Sequence, residues 1–541
     1  MPGCRLLLVG TFPVVAALDT FVHPSGSDSA AGTSVAPLQT IAACVRAVRQ
    51  PGDRCLLKAG VYPVGGEAVQ VDDKAGTPSA RVAIASAGDG PVVLDGTADI
   101  STLTKSTWRL APEVGPHVYA LPLAAGADIT QLFAGRASGH DETLQMLVPA
   151  RWPNARWSDR TMFEGPEHWA HAGPAGAGAE HNVSTMVGLL YDYGACRSNE
   201  TCCSYCNNNS LSASGINATG AVMIMQLWSN GVGVQIVDQH TPGTNLLRYT
   251  ATWCKAQIEG KHGKCDDGYR GGRGRYYLEA SRALLDAPSE WFFEKETGML
   301  YLYPPDGRSP AVSGLEIRAK VSTYALKIGG QSSFFDLANI SFVGTTIAAG
   351  SDDSEIRSGG NASVHNLRFE SLNFSYPSSS GRMLQNLEPI PSMAVWMNSS
   401  KIWTNHTFVD VAWRYADGTA LQFQGLGGSF DNCVWEWNSW TGTLGSAVPG
   451  AWQNGGTFVV GSSPKPDTEV MFNRLSFANN GASKALRPPK PSNMPLVVQL
   501  VHFERQLSLA DDGCFVETGG PDSAHMRVSH QDFLVLFGCF C

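Results

Sequence analysis

No apolar run in this chain is long enough to cross a bilayer, which takes about 20 consecutive apolar residues in a helix. Basic residues are outnumbered, with 39 Lys and Arg against 48 Asp and Glu and a net charge of −9. That balance argues against nucleic acid, which wants a basic footprint. It also disfavours a highly acidic polymer unless basic residues gather in one groove. Glycine-rich phosphate loops, a Ser-His-Asp order and a dinucleotide fingerprint are all missing. A zinc site lacks its second half. Cys203 and Cys206 have C-x-x-C spacing, but Cys254 and Cys265 lie too far apart to match it. What is abundant is 58 glycines and 31 prolines, the composition of a turn-rich, strand-rich protein. With 541 residues, 43% of them hydrophobic, the chain can bury more than one core, and a repeat fold would lower the domain count that length suggests.

The beginning reads as a secretory signal over residues 1–17. Arg5 supplies a positive start, Leu6 to Leu18 is mostly apolar, and Val15-Ala16-Ala17 offers small residues for cleavage. Two further features point to secretion. Sequons for N-glycosylation start at Asn182, Asn199, Asn208, Asn217, Asn339, Asn361, Asn373, Asn398 and Asn405. The thirteen cysteines include an early pair, Cys44 and Cys55, and a group at Cys196, Cys202, Cys203, Cys206, Cys254 and Cys265. In an oxidising compartment both read as disulfides.

Residues Thr20 to Pro63 read as a strand, a Gly/Ser-rich turn, a short amphipathic helix, a Pro51-Gly52 stop and a second strand. Leu38, Ile41, Ala42, Val45 and Val48 carry the helical spacing. This segment resembles the N-terminal entry and cap of right-handed parallel β-helix proteins of the pectate-lyase-like superfamily. The resemblance implies an all-β solenoid, secretion and a polysaccharide partner, acidic or neutral. It extends over 18–107 as the cap and first coils, with Arg81 to Leu94 read as two short strands around a turn.

Residues 108–314 break that pattern and resemble the inserted β-rich domain of one branch, the glycoside-hydrolase-like one. The matching stretches are Gln131 to Arg136, Ala150-Arg151-Trp152-Pro153-Asn154 and Leu284 to Pro305, the last predicting a hairpin with a Thr297-Gly298 turn. A cysteine-rich loop, Tyr191 to Gly274, lies between them. From 315 to 531 short strands recur at irregular spacing, including Phe335 to Phe342, Val364 to Phe369, Phe430 to Trp435 and Val470 to Leu475. They predict parallel β-helix coils rather than a β-sandwich. The tail, 532–541, is apolar and unpatterned where further coils and a cap are expected, and reads as aberrant or truncated.

In such a scaffold several coils combine to form one groove. Asp511 and Asp512 stand at a turn, and Glu517 follows on a strand that would face solvent if Val516 points inward. Crowded carboxylates separate their pKa values into an acid and a base, which is what glycoside hydrolysis needs. The stretch resembles a motif of the glycoside-hydrolase-like branch, and Asp-Asp also occurs in polygalacturonases. A solvated turn or a calcium loop is the alternative.

Lys484, Arg487, His502 and Arg505 form a second, basic cluster, read as sugar contacts. Lys484 and Arg505 also resemble the basic pair of alginate and chondroitin lyases, although the surrounding motif differs. Lyase chemistry would recruit calcium to a uronate carboxylate; hydrolysis needs no cofactor. Trp437 and Trp440 read as stacking platforms for sugar, with core packing as the alternative. By strand alternation Trp435 and Trp437 should share a face. The expected protein is a secreted, monomeric glycoside hydrolase of a polysaccharide. A polysaccharide lyase and a non-catalytic glycan-binding surface protein stand as alternatives.

Overall fold

The computed structural model describes residues 17–127, 129–135, 144–163, 168–172, 179–182, 187–192, 194, 209–228, 231–250, 275–350, 364–377, 394–395, 405–418, 420–423, 427–440, 456–460, 470–481, 484–487, 496–499, 502–504, 514–516 and 526–529. The chain enters through strand Asp19–Val22 and helix Ile41–Ala47. Thr40 caps the helix, its Oγ1 accepting the Ala43 N–H at 3.1 Å, and the Asp28 carboxylate accepts the Gln39 and Thr40 N–H groups. Ile41 and Val45 are buried, as the spacing expects, but Ala43 and Cys44 are buried beside them while Ala42 is only partly so. Leu38 is not part of the helix. It precedes the cap and bridges Val22, because the Asp28 contacts delay the helix start to Ile41. The Cys44–Cys55 disulfide, with Cα atoms 5.8 Å apart, fastens the helix to strand Arg54–Leu57.

The protein is mostly β, and most of its strands lie in parallel ladders. The first ladder runs Asp19–Val22, Arg54–Leu57, Val82–Ser86, Ser333–Val343, His365–Ser375, His406–Val409, Gly428–Asp431, Val470–Asn473, Leu496–Gln499 and Met526–Ser529. A second begins with Gly60–Pro63 and Val92–Asp95 and uses the far halves of Ser333–Val343 and His365–Ser375. It continues through Ala412–Arg414, Val434–Glu436, Ser476–Ala478 and His502–Glu504. A third runs Val69–Asp72, Tyr324–Gly329, Thr346–Ala349, Ala394–Val395, Leu421–Phe423, Gly456–Val460, Lys484–Arg487 and Cys514–Val516. From His406 on, the chain visits the first, second and third ladders in turn, then repeats the order.

Strand spacing of about 4.8 Å brings like side chains of successive strands into contact. Phe369, Phe408 and Phe430 stack at 4.7 and 4.5 Å in one file. Phe342, Phe374, Trp413, Trp435 and Phe477 form another, at 4.6, 6.0, 4.8 and 4.7 Å. Both files belong to the main core, which the aliphatic residues of the third ladder close. The corner between first and second strands is left-handed at Asp410, Asn432 and Arg474, with φ of 55°, 54° and 52°. A buried polar ladder supports the next corner. Asn438 Nδ2 donates to Trp413 O and Asn480 Nδ2 to Trp435 O, each at 2.9 Å, and the Asn480 Oδ1 accepts the Asn438 N–H.

Between Asp95 and Lys320 the pairing is mainly antiparallel instead, with Leu144–Pro149 and Glu290–Glu294 the parallel pair among the described strands. Thr97–Asp99 pairs with Ile317–Lys320 where the chain leaves and rejoins the parallel ladders. There Arg318 bonds Asp95 at 2.7 Å, and Asp95 also accepts the Thr97 N–H and hydroxyl. Glu290–Glu294 and Met299–Tyr303 form the antiparallel hairpin that the Thr297-Gly298 turn predicts. The buried Glu290 carboxylate accepts backbone N–H groups of Arg151, Asp286 and Ala287, each at 3.2 Å. Burial pushes its pKa well above the usual carboxylate range.

Candidate functional site

The outward face of the second ladder carries two columns set by register. One reads Ser375, Arg414, Glu436 and Ala478; the other reads Asn373, Ala412, Val434, Ser476 and His502. They flank the inward file because alternate residues of a strand point to opposite sides. Arg414 bridges two neighbouring strands. Its Nε donates to Glu436 Oε2 at 3.1 Å and its Nη1 to Asn373 Oδ1 at 2.8 Å. Both charged side chains are part-exposed, at 27% and 32%. His502 is exposed at the far end of its column.

Five successive second-ladder strands, from Ser333–Val343 to Ser476–Ala478, are followed by a left-handed residue. Gly344, Tyr376, Tyr415, Trp437 and Asn479 have φ of 62°, 54°, 64°, 55° and 55°. The reversal takes the aromatic members out of strand alternation and aims them sideways, where Tyr376 and Tyr415 stack at 4.8 Å. Residues 151–163 of the antiparallel region lie over this column. Trp157 meets Tyr415 edge-on at 5.5 Å and Trp440 at 5.6 Å, and Phe163 meets Trp437 at 5.2 Å. The Tyr376 hydroxyl donates to Leu144 O at 3.1 Å. Arg160, itself left-handed with φ of 63°, places its guanidinium 5.0, 5.2 and 5.0 Å from the rings of Trp157, Tyr415 and Trp437.

Lys320 closes one end of the column. Its Nζ donates to Gly344 O at 2.5 Å. Full burial lowers its pKa to about 7, and the buried Asp417 carboxylate acts in the opposite direction. The part-exposed groups of this face are therefore the Arg414–Glu436 pair, the rings of Tyr415 and Trp437 and the Arg160 guanidinium, elements with which proteins hold sugar hydroxyls and ring faces.

Asp511, Asp512, Glu517 and Arg505 lie outside the described residues. Lys484 and Arg487 fall on the third ladder, with Lys484 paired between Gly456 and Cys514, while His502 belongs to the second. Val516 pairs with Leu486, in the column that begins with the core residue Leu421. Trp440 is not a platform. It is 1% exposed, its ring packs on Trp157, and its Nε1–H donates to Tyr415 O. Trp437 is half-buried, and it does not share a face with Trp435. The left-handed φ at 437 turns it outward, while Trp435 stays in the core file.

Arg160, Arg414, Tyr415 and Glu436 are the residues that sequence reasoning missed. A signal for three of them was present: Trp413-Arg414-Tyr415 and Trp435-Glu436-Trp437 repeat an aromatic–charged–aromatic triplet 22 residues apart. Phe374-Ser375-Tyr376 and Phe477-Ala478-Asn479 occupy the same ladder positions, and Phe503-Glu504-Arg505 continues the series in sequence. Among the described residues no group of three or more His, Cys, Asp or Glu could hold a metal ion, and no helix is long and apolar enough to cross a membrane.

The sequence matches no protein-family model and no curated protein. Among solved structures, a chain described as "Glycoside hydrolase" superposes with a TM-score of 0.58, covering 90% of this chain and 85% of that one at 12% identity. At that identity the likeness is one of fold. A second, "The complex structure of XylC with xylose", reaches a TM-score of 0.33 at 10% identity, covering 90% of this chain and 65% of that one, and nothing is argued from it.

Proposed function

We propose that this protein is a secreted, carbohydrate-active enzyme that hydrolyses glycosidic bonds of a polysaccharide on a right-handed parallel β-helix of the pectate-lyase-like kind. The observation that carries the reading is the shared fold with a glycoside hydrolase over nine tenths of the chain. The repeating visit to three parallel ladders supports the β-helix, and the 97–320 antiparallel region serves as its inserted domain. The aromatic and charged outward face of the second ladder supports glycan binding.

In this reading Asp511, Asp512 and Glu517 supply the acid and the base. One protonated carboxyl donates to the leaving oxygen, and one ionised carboxylate activates water or attacks the sugar. Glu436, braced by Arg414, accepts hydrogen bonds from sugar hydroxyls, and His502, further along the same ladder, contacts the glycan with Arg505, while Lys484 and Arg487, on the third ladder, would contact it only if it reaches that face. The Cys44–Cys55 bond fits an oxidising compartment. The test is Asp512→Asn: release of reducing ends should disappear while the circular dichroism spectrum and unfolding temperature stay unchanged. Full activity in that variant would remove Asp512 from the mechanism.

A further inference from the structure

The Arg160 guanidinium is a cation held in place by rings rather than by a carboxylate. Among the described residues it forms no salt bridge, whereas Arg54, Arg81, Arg318, Arg414 and Arg474 each pair with an acid. The adjacent Asp159 carboxylate is turned into its own loop, where Oδ1 accepts the Thr161 N–H at 3.1 Å and the Thr161 hydroxyl at 2.7 Å. Arg160 spends one N–H on Trp157 O at 3.4 Å. A guanidinium stacked on aromatic faces keeps its in-plane N–H rim available, and that rim matches the two oxygens of a carboxylate.

Three rings from two parts of the fold converge on this one group. Trp157 comes from the antiparallel region, and Tyr415 and Trp437 come from successive left-handed corners of the second ladder. The side chain is half-exposed, and the part-exposed Arg414–Glu436 pair lies on the strands that end in those two corners. Glu436 already pairs with Arg414, so Arg160 is the cation of this stretch that no carboxylate contacts directly.

We propose that Arg160, in its Trp157–Tyr415–Trp437 cage, is a subsite for the carboxylate of a uronic acid, so that the polysaccharide is an anionic one. This rests on the carbohydrate-active reading and adds the substrate class. Rigid caging leaves little side-chain freedom to lose on binding, which favours recognition over a mobile lysine.

The test is calorimetric binding of oligouronates prepared from pectin, alginate and hyaluronan, each beside its carboxyl-reduced neutral counterpart. The native protein should prefer at least one acid form by about tenfold, the effect of one charge-assisted hydrogen-bond pair, and the preference should shrink with added salt. Arg160→Gln should erase the preference while leaving affinity for the neutral oligosaccharide within about twofold. Arg160→Lys, which keeps the charge and loses the fork, should retain part of it. A purely structural latch would weaken both ligands together in Arg160→Gln, and that outcome overturns the proposal. So does equal binding of acid and neutral forms by the native protein across all three pairs. Acid preference without any cleavage would keep the subsite and remove the hydrolase reading, so the two failures are distinguishable.

Discussion

Trp413 and Trp435 lie face to face, 4.8 Å between ring centres and 13° from parallel, on neighbouring strands inside the core. Each ring is fully buried, and Phe374 and Phe477 continue the stack on either side. Trp413→Ala should therefore cost about 3–5 kcal/mol, the usual penalty for emptying so large a core position, read as a shift in the denaturant midpoint. Trp437, two residues beyond Trp435, is half-buried and packs against a separate buried cluster that includes Trp157 and Phe163. Trp437→Ala should cost far less stability and weaken oligosaccharide binding several-fold. Equal destabilisation by the two variants would contradict the assignment of Trp437 to a binding wall.

Asn438 has both ends of its amide buried in hydrogen bonds. Its Oδ1 accepts the Ala416 N–H at 2.9 Å, and its Nδ2 donates to Trp413 O. Asn438→Ala takes the Ala416 N–H's acceptor away and removes the side-chain bond to Trp413 O, and should destabilise the protein by roughly 1–3 kcal/mol. Thermal unfolding of the variant checks the value.

His406 is fully buried, and its Nδ1 accepts the Leu367 N–H at 3.2 Å. Desolvation lowers its pKa to about 3, with His365 adding a smaller push in the same direction. The unfolded chain then binds the extra proton between about pH 6.5 and 3, so stability is lost as pH falls through that window. The slope approaches 1.4 kcal/mol per pH unit for one group, about the value of a unit shift. His406→Gln, which keeps an acceptor for Leu367 and does not titrate, should flatten the acid limb of an unfolding-versus-pH curve. An unchanged limb would show that another group controls it.

The Cys44–Cys55 bond closes a loop with a sequence separation of 11 and ties the entry helix to the first ladder. Replacing both by serine should lower stability by about 2–4 kcal/mol and remove this bond's share of the sensitivity to a reducing agent. A large remaining sensitivity to reductant would point to disulfides elsewhere in the chain.

The fold was more legible than the site, for physical reasons visible in single residues. The cap showed itself through local signals: an apolar period at Leu38, Ile41, Ala42, Val45 and Val48, Pro51-Gly52 after it, and a cysteine on each side of the turn. The hairpin at Glu290 to Tyr303 was equally local. Residues that meet only through the ladder were harder to see. Arg414 and Glu436 are 22 residues apart and touch because their strands are neighbours in register. Trp437 misled because alternation assumes extended φ, and a left-handed corner breaks it. Arg160 had no sequence signal, since its cage joins two regions that local patterns do not connect. Lys484 and His502 read as one cluster by proximity in sequence, yet they belong to different ladders.

The most direct test of the central claim is to incubate the purified protein with a panel of polysaccharides, following new reducing ends and the ultraviolet absorbance of unsaturated uronates together. Hydrolysis predicts reducing ends that accumulate with no rise in absorbance, since water rather than β-elimination completes the cleavage. A parallel rise in both signals would show elimination and contradict the account, and silence in both would contradict an enzymatic role altogether.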